Sequence, residues 1–127
     1  MKKIIVKPAA AAAAIGPYSH GVRAGDFLFC AGQIPVTPES GQIIGPDVRA
    51  QTERVLENVK IILQDQKLDF RHVVKTTVFL TDLADFTAMN EVYARYFTAD
   101  FPARSTVQVA ALPRGARVEI EVVAHYG

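Results

Sequence analysis

The C-terminal segment FPARSTVQVAALPRGARVEIEVVA carries charged side chains at positions where strand residues are expected. Its pattern predicts a strand, a tight turn and a second strand paired with the first. Arg104 begins the first strand, while Glu119 and Glu121 share one face of the second, because side chains alternate along a strand. An arginine can hold a carboxylate through two parallel hydrogen bonds, and a glutamate can orient or deprotonate a water. This segment is therefore a candidate for ligand binding and hydrolysis.

Ordinary structural roles also fit these residues. On pattern alone, Arg104 is favoured as a surface or ion-paired arginine, and the two glutamates fit a solvated face or partners of Arg117 about as well as a site. Tyr18, in IGPYSHG, is a packing aromatic or the wall of a pocket. A turn centred near Arg114 would place Arg104 about five residues beyond Glu119, or about 17 Å at the rise of a strand. A site that uses both side chains is therefore expected between subunits.

The elements that position these residues follow from hydrophobic periodicity and turn chemistry. Apolar residues at helical spacing after Asp47, a plausible N-cap, predict an amphipathic helix to about residue 66. HVVKTTVFLT predicts a strand, and Asp82 or Asp85 can cap a second helix, whose apolar face includes Phe86 and Tyr93. The N-terminal half predicts a strand over about 3–7, an irregular lead-in over 8–19, a hairpin of Val22–Ala24 with Phe27–Gly32, and a loop over about 35–46.

The resulting order, β-β-β-α-β-α-β-β, predicts an α/β or α+β layer in which two helices cover one face of a mixed sheet. The second face alternates polar and apolar side chains, and two helices cannot cover it as well. A mixed face of this kind suits burial against another copy of the chain, so a homo-oligomer is expected. A chain of 127 residues fits one domain, here residues 1–127.

Composition narrows the function classes. The formal net charge is +1, and no run of Lys and Arg stands out, so nucleic acid and anionic membrane are not favoured as partners. No apolar stretch has the length of a membrane span, and Lys7 and Pro8 interrupt what would be the apolar part of a signal peptide. The single cysteine, Cys30, fits a reducing compartment and a buried position. A cytoplasmic protein without a metal site is expected, because the histidines lack ligand-like spacing.

Five colinear blocks of the chain resemble the RidA family, also called YjgF. They are AAIGPYSHGV, GQIPV, QTERVLENVKIIL, VVKTTVFLTDLADFTAMNEVYARYF and FPARSTVQVAALPRGARVEIEVVA. The resemblance runs from about Ala9 to Ala124. It implies a chorismate-mutase-like fold, assembled as a homotrimer around a central barrel with clefts between subunits. It also implies an enamine/imine deaminase that hydrolyses 2-iminopropanoate, 2-iminobutanoate and similar 2-imino acids to 2-oxoacids and ammonia, without a cofactor or metal.

The resemblance also assigns roles by position. Arg104 matches the residue that binds the substrate carboxylate, and Glu119 matches the residue that positions the water. Tyr18 matches a pocket tyrosine, Gly32 a glycine whose backbone lines the site, and Asn90 a shared position near the cleft. Arg117 and Glu121 keep structural or surface roles.

Two positions depart from the common family pattern. Thr106 stands where many members have cysteine, a tolerable change if that position acts through its backbone carbonyl. Ala31 stands where many members have serine, and the lost hydroxyl is expected to shift substrate preference. YFTADFPAR is also shorter than in some relatives. The alternatives left open are an RNA-cleaving translation inhibitor and a ligand-binding or holdase trimer without turnover.

Overall fold

A computed structural model describes residues 2–127 and contains the expected succession of elements. A six-stranded sheet and two helices form a mixed α+β structure, as predicted. The strands are β1 (Lys3–Val6), β2 (Gly21–Ala24), β3 (Phe27–Cys30), β4 (Val73–Leu80), β5 (Ala103–Gln108) and β6 (Val118–His125), the helices are α1 (Val48–Asp65) and α2 (Phe86–Tyr96), and short 3-10 turns lie at Phe70–His72, Leu83–Asp85 and Pro113–Gly115.

Side-chain caps fix where the helices begin. The Asp47 carboxylate accepts a hydrogen bond of 3.2 Å from the backbone N–H of Arg49, so the predicted N-cap of α1 is confirmed. Asp82 caps the 3-10 turn that leads into α2, accepting a 2.9 Å hydrogen bond from Ala84. Asp85 makes no capping hydrogen bond and instead faces Arg117. Of the two candidates, Asp82 caps only the 3-10 turn before α2, and Asp85 occupies the N-cap position of α2 without a capping hydrogen bond.

The order of strands in the sheet is β1-β2-β3-β6-β4-β5, with β4 and β5 parallel and the other neighbours antiparallel. The β2–β3 hairpin is confirmed, but the predicted pairing of β5 with β6 is wrong, because β4 lies between them. The connection crosses the end of β4, where Val109 donates to the Leu80 carbonyl and Thr81 donates to that of Arg117. The apolar, β-branched strand β4 thereby gains a neighbour on each side.

Both helices cover one face of the sheet. Apolar residues of α1 and α2 pack on the inward side chains of β3, β4 and β6, including the fully buried Leu28, Val78 and Ile120. The opposite face, called the open face below, carries Phe29, Lys75, Thr77, Phe79, Val107, Glu119, Glu121 and Val123. Phe29 is 49% exposed there. The sequence pattern was therefore right about a covered face and a mixed face.

The segment over residues 8–19, called the N-terminal strap below, contains only turns and bends. Its alanines favour a helix by propensity, but Pro8, Gly16 and Pro17 bound a run too short to sustain one. Within the described residues, neither helix has the length and apolar character needed to cross a membrane.

Candidate active site

Glu119 lies on the open face of β6 against the backbone of Gly32. An isolated bridge joins the two segments, since Gln33 donates to the Ile120 carbonyl at 2.9 Å and Ile120 donates back at 3.2 Å. A Cβ at position 32 would lie 2.8 Å from the carboxyl carbon of Glu119 and 3.1 Å from its Cγ. The absence of a Cβ at Gly32 allows this close approach, and an added Cβ would require the Glu119 side chain to shift.

The environment of Glu119 favours its protonated form. Burial raises the pKa of its carboxyl, and the neighbouring charge of Glu121 raises it further. Within residues 2–127 the carboxylate has no hydrogen bond or ion pair that would oppose this shift. A half-buried carboxylate with a raised pKa and free lone pairs can accept a proton from water.

Arg104 lies on the other face of the sheet, on the edge strand β5 and against α2. Its Nη1 donates a 2.7 Å hydrogen bond to Oδ1 of Asn90. Its guanidinium carbon lies 4.8 Å from the ring centre of Tyr93 and 5.4 Å from that of Phe86, which are cation–π distances. The Tyr93 hydroxyl is in turn paired with Thr76 at 2.8 Å. The arginine is therefore held in a fixed setting at a groove lined by Asn90, Tyr93, Ala94, Phe97, Phe101, Pro102 and Arg104.

Tyr93 and Phe86 were predicted only as members of the apolar face of the second helix. Their contact with Arg104 identifies them as part of its binding environment. Helical spacing offered a signal for this, since both residues lie three or four positions from Asn90 and therefore share its side of the helix. The sequence pattern did not show that β5, which carries Arg104, passes beneath this face of the helix.

Thr106 follows Arg104 by two residues on β5 and faces the same side of the sheet. Its Oγ1 is buried and has no hydrogen-bond partner in the part of the chain that the structure describes. The structure thus brings Thr106 together with Arg104 and Asn90, and not with Glu119. The expected role of its backbone carbonyl stays a prediction.

Tyr18 and Ala31 lie near Gly32. Tyr18, which is 48% exposed on the N-terminal strap, lines with Gly32 a groove between the strap and the body of the protein. The Ala31 carbonyl accepts from the side chain of Gln33 at 3.1 Å, and its N–H donates to the His20 carbonyl at 2.8 Å. Tyr18 and Ala31 therefore lie on the Gly32 side of the candidate site, apart from the groove that contains Arg104.

The structure separates Arg104 from Glu119. Along β4, Arg104 is level with Thr76 and Glu119 with Phe79, an offset of about 10 Å along the strands and two strand spacings of about 4.8 Å across them. The assumed hairpin register was wrong, but a separation of about 14 Å agrees with the expectation that the two do not meet in one copy. They also point to opposite faces of the sheet.

The remaining charged candidates have structural or surface positions. Arg117 donates to both carboxylate oxygens of Asp85 at 2.8 Å and to the Pro46 carbonyl at 2.8 Å. Glu121 is exposed and forms no ion pair among the described residues. Both therefore match the roles predicted for them, and Arg117 ties β6 to the start of α2.

The remaining candidates for chemistry are Cys30 and groups of side chains able to bind a metal ion. Cys30 is buried, and burial raises the pKa of its thiol to about 12, so it stays protonated as a small apolar group. Over residues 2–127, no three His, Cys, Asp or Glu side chains form a group suited to hold a metal ion. The two side-chain groups described above can bind an anion and activate a water, respectively.

The sequence and structure match proteins of one family. A family model described as "Endoribonuclease L-PSP" matches residues 8–126. Protein DfrA of Myxococcus xanthus is 57% identical over 113 residues, which cover 87% of this chain and 86% of that protein. A human protein named 2-iminobutanoate/2-iminopropanoate deaminase is 46% identical over 123 residues, which cover 97% of this chain and 90% of the human protein.

Solved structures agree with these relatives. The crystal structure of Escherichia coli TdcF with bound serine superposes with a TM-score of 0.92 at 45% identity, covering 98% of this chain and 99% of that one. The shared fold therefore extends over nearly the whole length of both chains.

Proposed function

The chain belongs to the endoribonuclease L-PSP family, whose members include the RidA deaminases, and from this premise we propose that it is an enamine/imine deaminase. It hydrolyses reactive 2-imino acids such as 2-iminopropanoate and 2-iminobutanoate to 2-oxoacids and ammonia. The observation that carries the proposal is that the sheet presents two groups at separate places. One is Arg104, which is held by Asn90 and is suited to bind a carboxylate, and the other is Glu119, which is half-buried and has a raised pKa.

Arg104 binds the carboxylate of the substrate in this proposal. The hydrogen bond to Asn90 uses one of the five N–H donors of the guanidinium, and the remaining donors can pair with a carboxylate. The rings of Tyr93 and Phe86 restrict the side chain, so little conformational freedom is lost on binding. The bound serine of TdcF, a small molecule with a carboxylate, supports this substrate class.

Glu119 holds the water that attacks C2 of the imine. The imine reacts as its iminium: as the C–O bond forms, the water loses a proton to the Glu119 carboxylate, the C=N π electrons move to nitrogen, and the nitrogen becomes a neutral amine. The carbinolamine then collapses: the protonated Glu119 returns its proton to the nitrogen, the C–N bond breaks, ammonia leaves, and the hydroxyl loses its proton to the carboxylate as it becomes the 2-oxo group. One water is consumed for each ammonia released. An iminium carbon is already electrophilic, so positioning supplies most of the acceleration. We propose that no cofactor or metal takes part.

Three copies complete the sites in this proposal. Arg104 and Glu119 point to opposite faces of one sheet, so a small substrate can touch both only where two copies meet. A homotrimer of single-domain chains, with the open faces packed around a central barrel in a chorismate-mutase-like arrangement, provides three such clefts. Each cleft combines Arg104 of one copy with Glu119 of its neighbour. Burial of the exposed Phe29 and Val107 on that face would favour such an assembly. The reducing compartment suggested by the single cysteine supports the cytoplasm as its location.

A competition assay tests the reaction. An amino-acid oxidase generates iminopropanoate in the presence of semicarbazide, which traps the imine. The wild-type protein should lower the yield of semicarbazone, while Arg104→Ala should not. Arg95→Ala removes an exposed arginine from α2, the helix that also carries Asn90, and should behave as wild type. Equal diversion of imine by wild type and Arg104→Ala would refute the assigned role of Arg104.

A mixing experiment tests the shared site. Arg104→Ala and Glu119→Gln are each expected to be inactive alone. Co-expressed with two affinity tags and purified through both, they should form mixed assemblies in which some clefts retain both side chains. Activity should then reappear in the mixed assemblies. Mixed assemblies of confirmed composition that stay inactive would contradict a site built from two copies.

RNA cleavage is the second candidate, since the matching family model carries the description of an endoribonuclease. The net charge of +1 weighs against strong RNA binding, and within residues 2–127 Glu119 has no cation beside it to stabilise a phosphorane. Cleavage of a fluorogenic RNA that persists in Glu119→Gln and falls steeply with salt would favour this candidate over the deaminase.

A further inference from the structure

His20 connects the N-terminal strap to the sheet through its side chain. Its Nε2 lies 2.6 Å from the carbonyl oxygen of Ala12, eight residues earlier. A carbonyl oxygen can only accept, so the hydrogen of the ring is on Nε2. The other hydrogen bonds found for the strap among the described residues span at most three positions, as in the bond from Tyr18 to the Gly16 carbonyl.

The backbone of His20 is joined to the sheet. Its carbonyl accepts a 2.8 Å hydrogen bond from Ala31, directly before Gly32, and the next residue, Gly21, begins β2. The ring of His20 also meets that of Tyr18 edge to face, with centres 6.2 Å apart. One residue therefore links the strap, Tyr18 and the end of β3.

We propose that His20 is a positioning residue that holds Tyr18 at the site. The proposal rests on the proposed deaminase function and on Tyr18 as a wall of its cleft. Tyr18 and Gly32 line one groove, and Gly32 contacts Glu119. The hydrogen bond to Ala12 closes the strap over this groove, and closure sets the position of the Tyr18 ring on the side of Gly32.

Only one ring nitrogen performs this function. Nδ1 is buried without a hydrogen-bond partner in residues 2–127, so the contact depends on Nε2 alone. A glutamine places its amide nitrogen near the position of Nε2, whereas an asparagine, one carbon shorter, places it near that of Nδ1. His20→Gln should keep the connection, and His20→Asn, of similar polarity, should break it.

Steady-state kinetics in the imine assay measure the effect. His20→Asn should raise KM about fivefold, the size expected for the loss of one neutral hydrogen bond, with kcat within a factor of two of wild type. His20→Gln should restore the wild-type KM. His72→Gln is the control, because His72 lies in a 3-10 turn, where it bonds Asp69. An equal rise in KM for His20→Gln and His20→Asn, or no rise in either, would overturn the proposal.

A double mutant separates positioning of Tyr18 from general loosening. Tyr18→Ala combined with His20→Asn should have the KM of Tyr18→Ala alone, because the strap then has no ring to position. Additive increases would overturn the proposal, since they would show that His20 acts through another contact.

Hydrogen exchange supplies a readout that does not depend on turnover. Amides of residues 9–18 should exchange faster in His20→Asn than in wild type, and at the wild-type rate in His20→Gln. Wild-type protein without imine turnover would refute the proposed function, while the exchange rates would still decide whether His20 holds the strap. Unchanged exchange in His20→Asn would refute that role.

Discussion

The two chemical groups of this protein are built in opposite ways. Arg104 is surrounded by partners: an amide oxygen at 2.7 Å and two aromatic rings within 5.4 Å. Glu119 has, among residues 2–127, no hydrogen bond to its carboxylate, which lies close to the backbone of Gly32. The arginine environment holds a charge in place, whereas the glutamate environment disfavours the charge and raises the pKa of the group.

The difference matches the two tasks proposed for these residues. A group that binds a carboxylate must stay charged and pre-oriented, because binding then costs little entropy. A group that takes a proton from water works best with a pKa near the working pH and with its lone pairs unoccupied. Burial of a carboxylate without a neighbouring cation raises its pKa and leaves its lone pairs unoccupied, but this burial lowers the stability of the folded protein. Substitutions that alter the charge, the hydrogen-bonding capacity or the surroundings of Arg104 and Glu119 test this comparison of their environments.

The largest effect is expected for Glu119→Gln. The amide cannot accept a proton from water, so kcat should fall by about a thousandfold, within the range of general-base catalysis, while KM changes little. The measurement is kcat against pH for imine hydrolysis. In wild type, activity should fall as the pH drops below the raised pKa of Glu119, and the variant should lack this dependence. An unchanged kcat would show that Glu119 does not take the proton.

The next effect is expected for Arg104→Lys. Lysine keeps the charge but cannot form the two parallel hydrogen bonds of a guanidinium, and it loses the fit between the rings. The value of kcat/KM should fall about a hundredfold, as expected for a lost charge-assisted pair. Arg95→Lys is the matched control. Activity retained in Arg104→Lys would mean that charge alone suffices.

Gly32→Ala tests the close approach of the Glu119 carboxylate to the backbone of Gly32. The added methyl would collide with the carboxylate, whose carbon lies 2.8 Å from the Cβ position, so the carboxylate must move. A displacement of this kind should lower kcat by roughly tenfold or more. Gly45→Ala is the control, because a Cβ there has no neighbour within 4 Å. Equal kinetics for the two variants would refute the positioning of Glu119 by Gly32.

Phe86→Leu tests the aromatic side of the arginine environment. Leucine keeps an apolar contact but removes the ring face, and an exposed cation–π contact corresponds to about a two- to fivefold change in affinity. KM should rise by that factor with kcat unchanged, and Phe86→Tyr should match wild type. A KM that does not change in Phe86→Leu would leave Asn90 and Tyr93 as the residues that hold the guanidinium.

The smallest effect concerns stability. Because the pKa of Glu119 is higher in the folded protein than its ordinary value of 4.5, the folded state binds more protons between those two pKa values. Stability therefore falls as the pH rises through that window. Glu119→Gln should melt about 1–3 °C above wild type at pH 7, and the difference should vanish near pH 3.5. Glu39→Gln, an exposed control, should show no such trend.

Local patterns predicted much of the fold. The α1 periodicity and Asp47 located the first helix, and β-branched residues located β4, because these signals depend on neighbours in sequence. The hairpin of β2 and β3 followed from Gly25-Asp26, since Gly25 adopts a positive φ of 60°. The pairing of β5 with β6 was wrong because their closeness in sequence favours a hairpin, whereas burial of β4 favours a place between them.

The candidate site also has a part that the sequence predicted and a part that it did not. The residue types of Arg104, Glu119 and Gly32 were available from the sequence and its family resemblance. The environment of Arg104 was not, since Tyr93 and Phe86 reach it only because β5 runs beneath α2. The link from His20 to Ala12 was also not predictable, because nothing in an irregular segment sets which carbonyl a side chain reaches.

By itself, the sequence determined the elements, the mixed face and the identity of the groups able to bind an anion and activate a water. These properties are local: capping, periodicity and side-chain chemistry need no information about distant residues. The tertiary structure decided that Arg104 and Glu119 lie on opposite faces about 14 Å apart, that Gly32 backs the carboxylate, and that aromatic rings enclose the guanidinium. Each of these depends on which segments pair with β4 and β6, and such pairing is set by burial of the whole sheet rather than by any one segment.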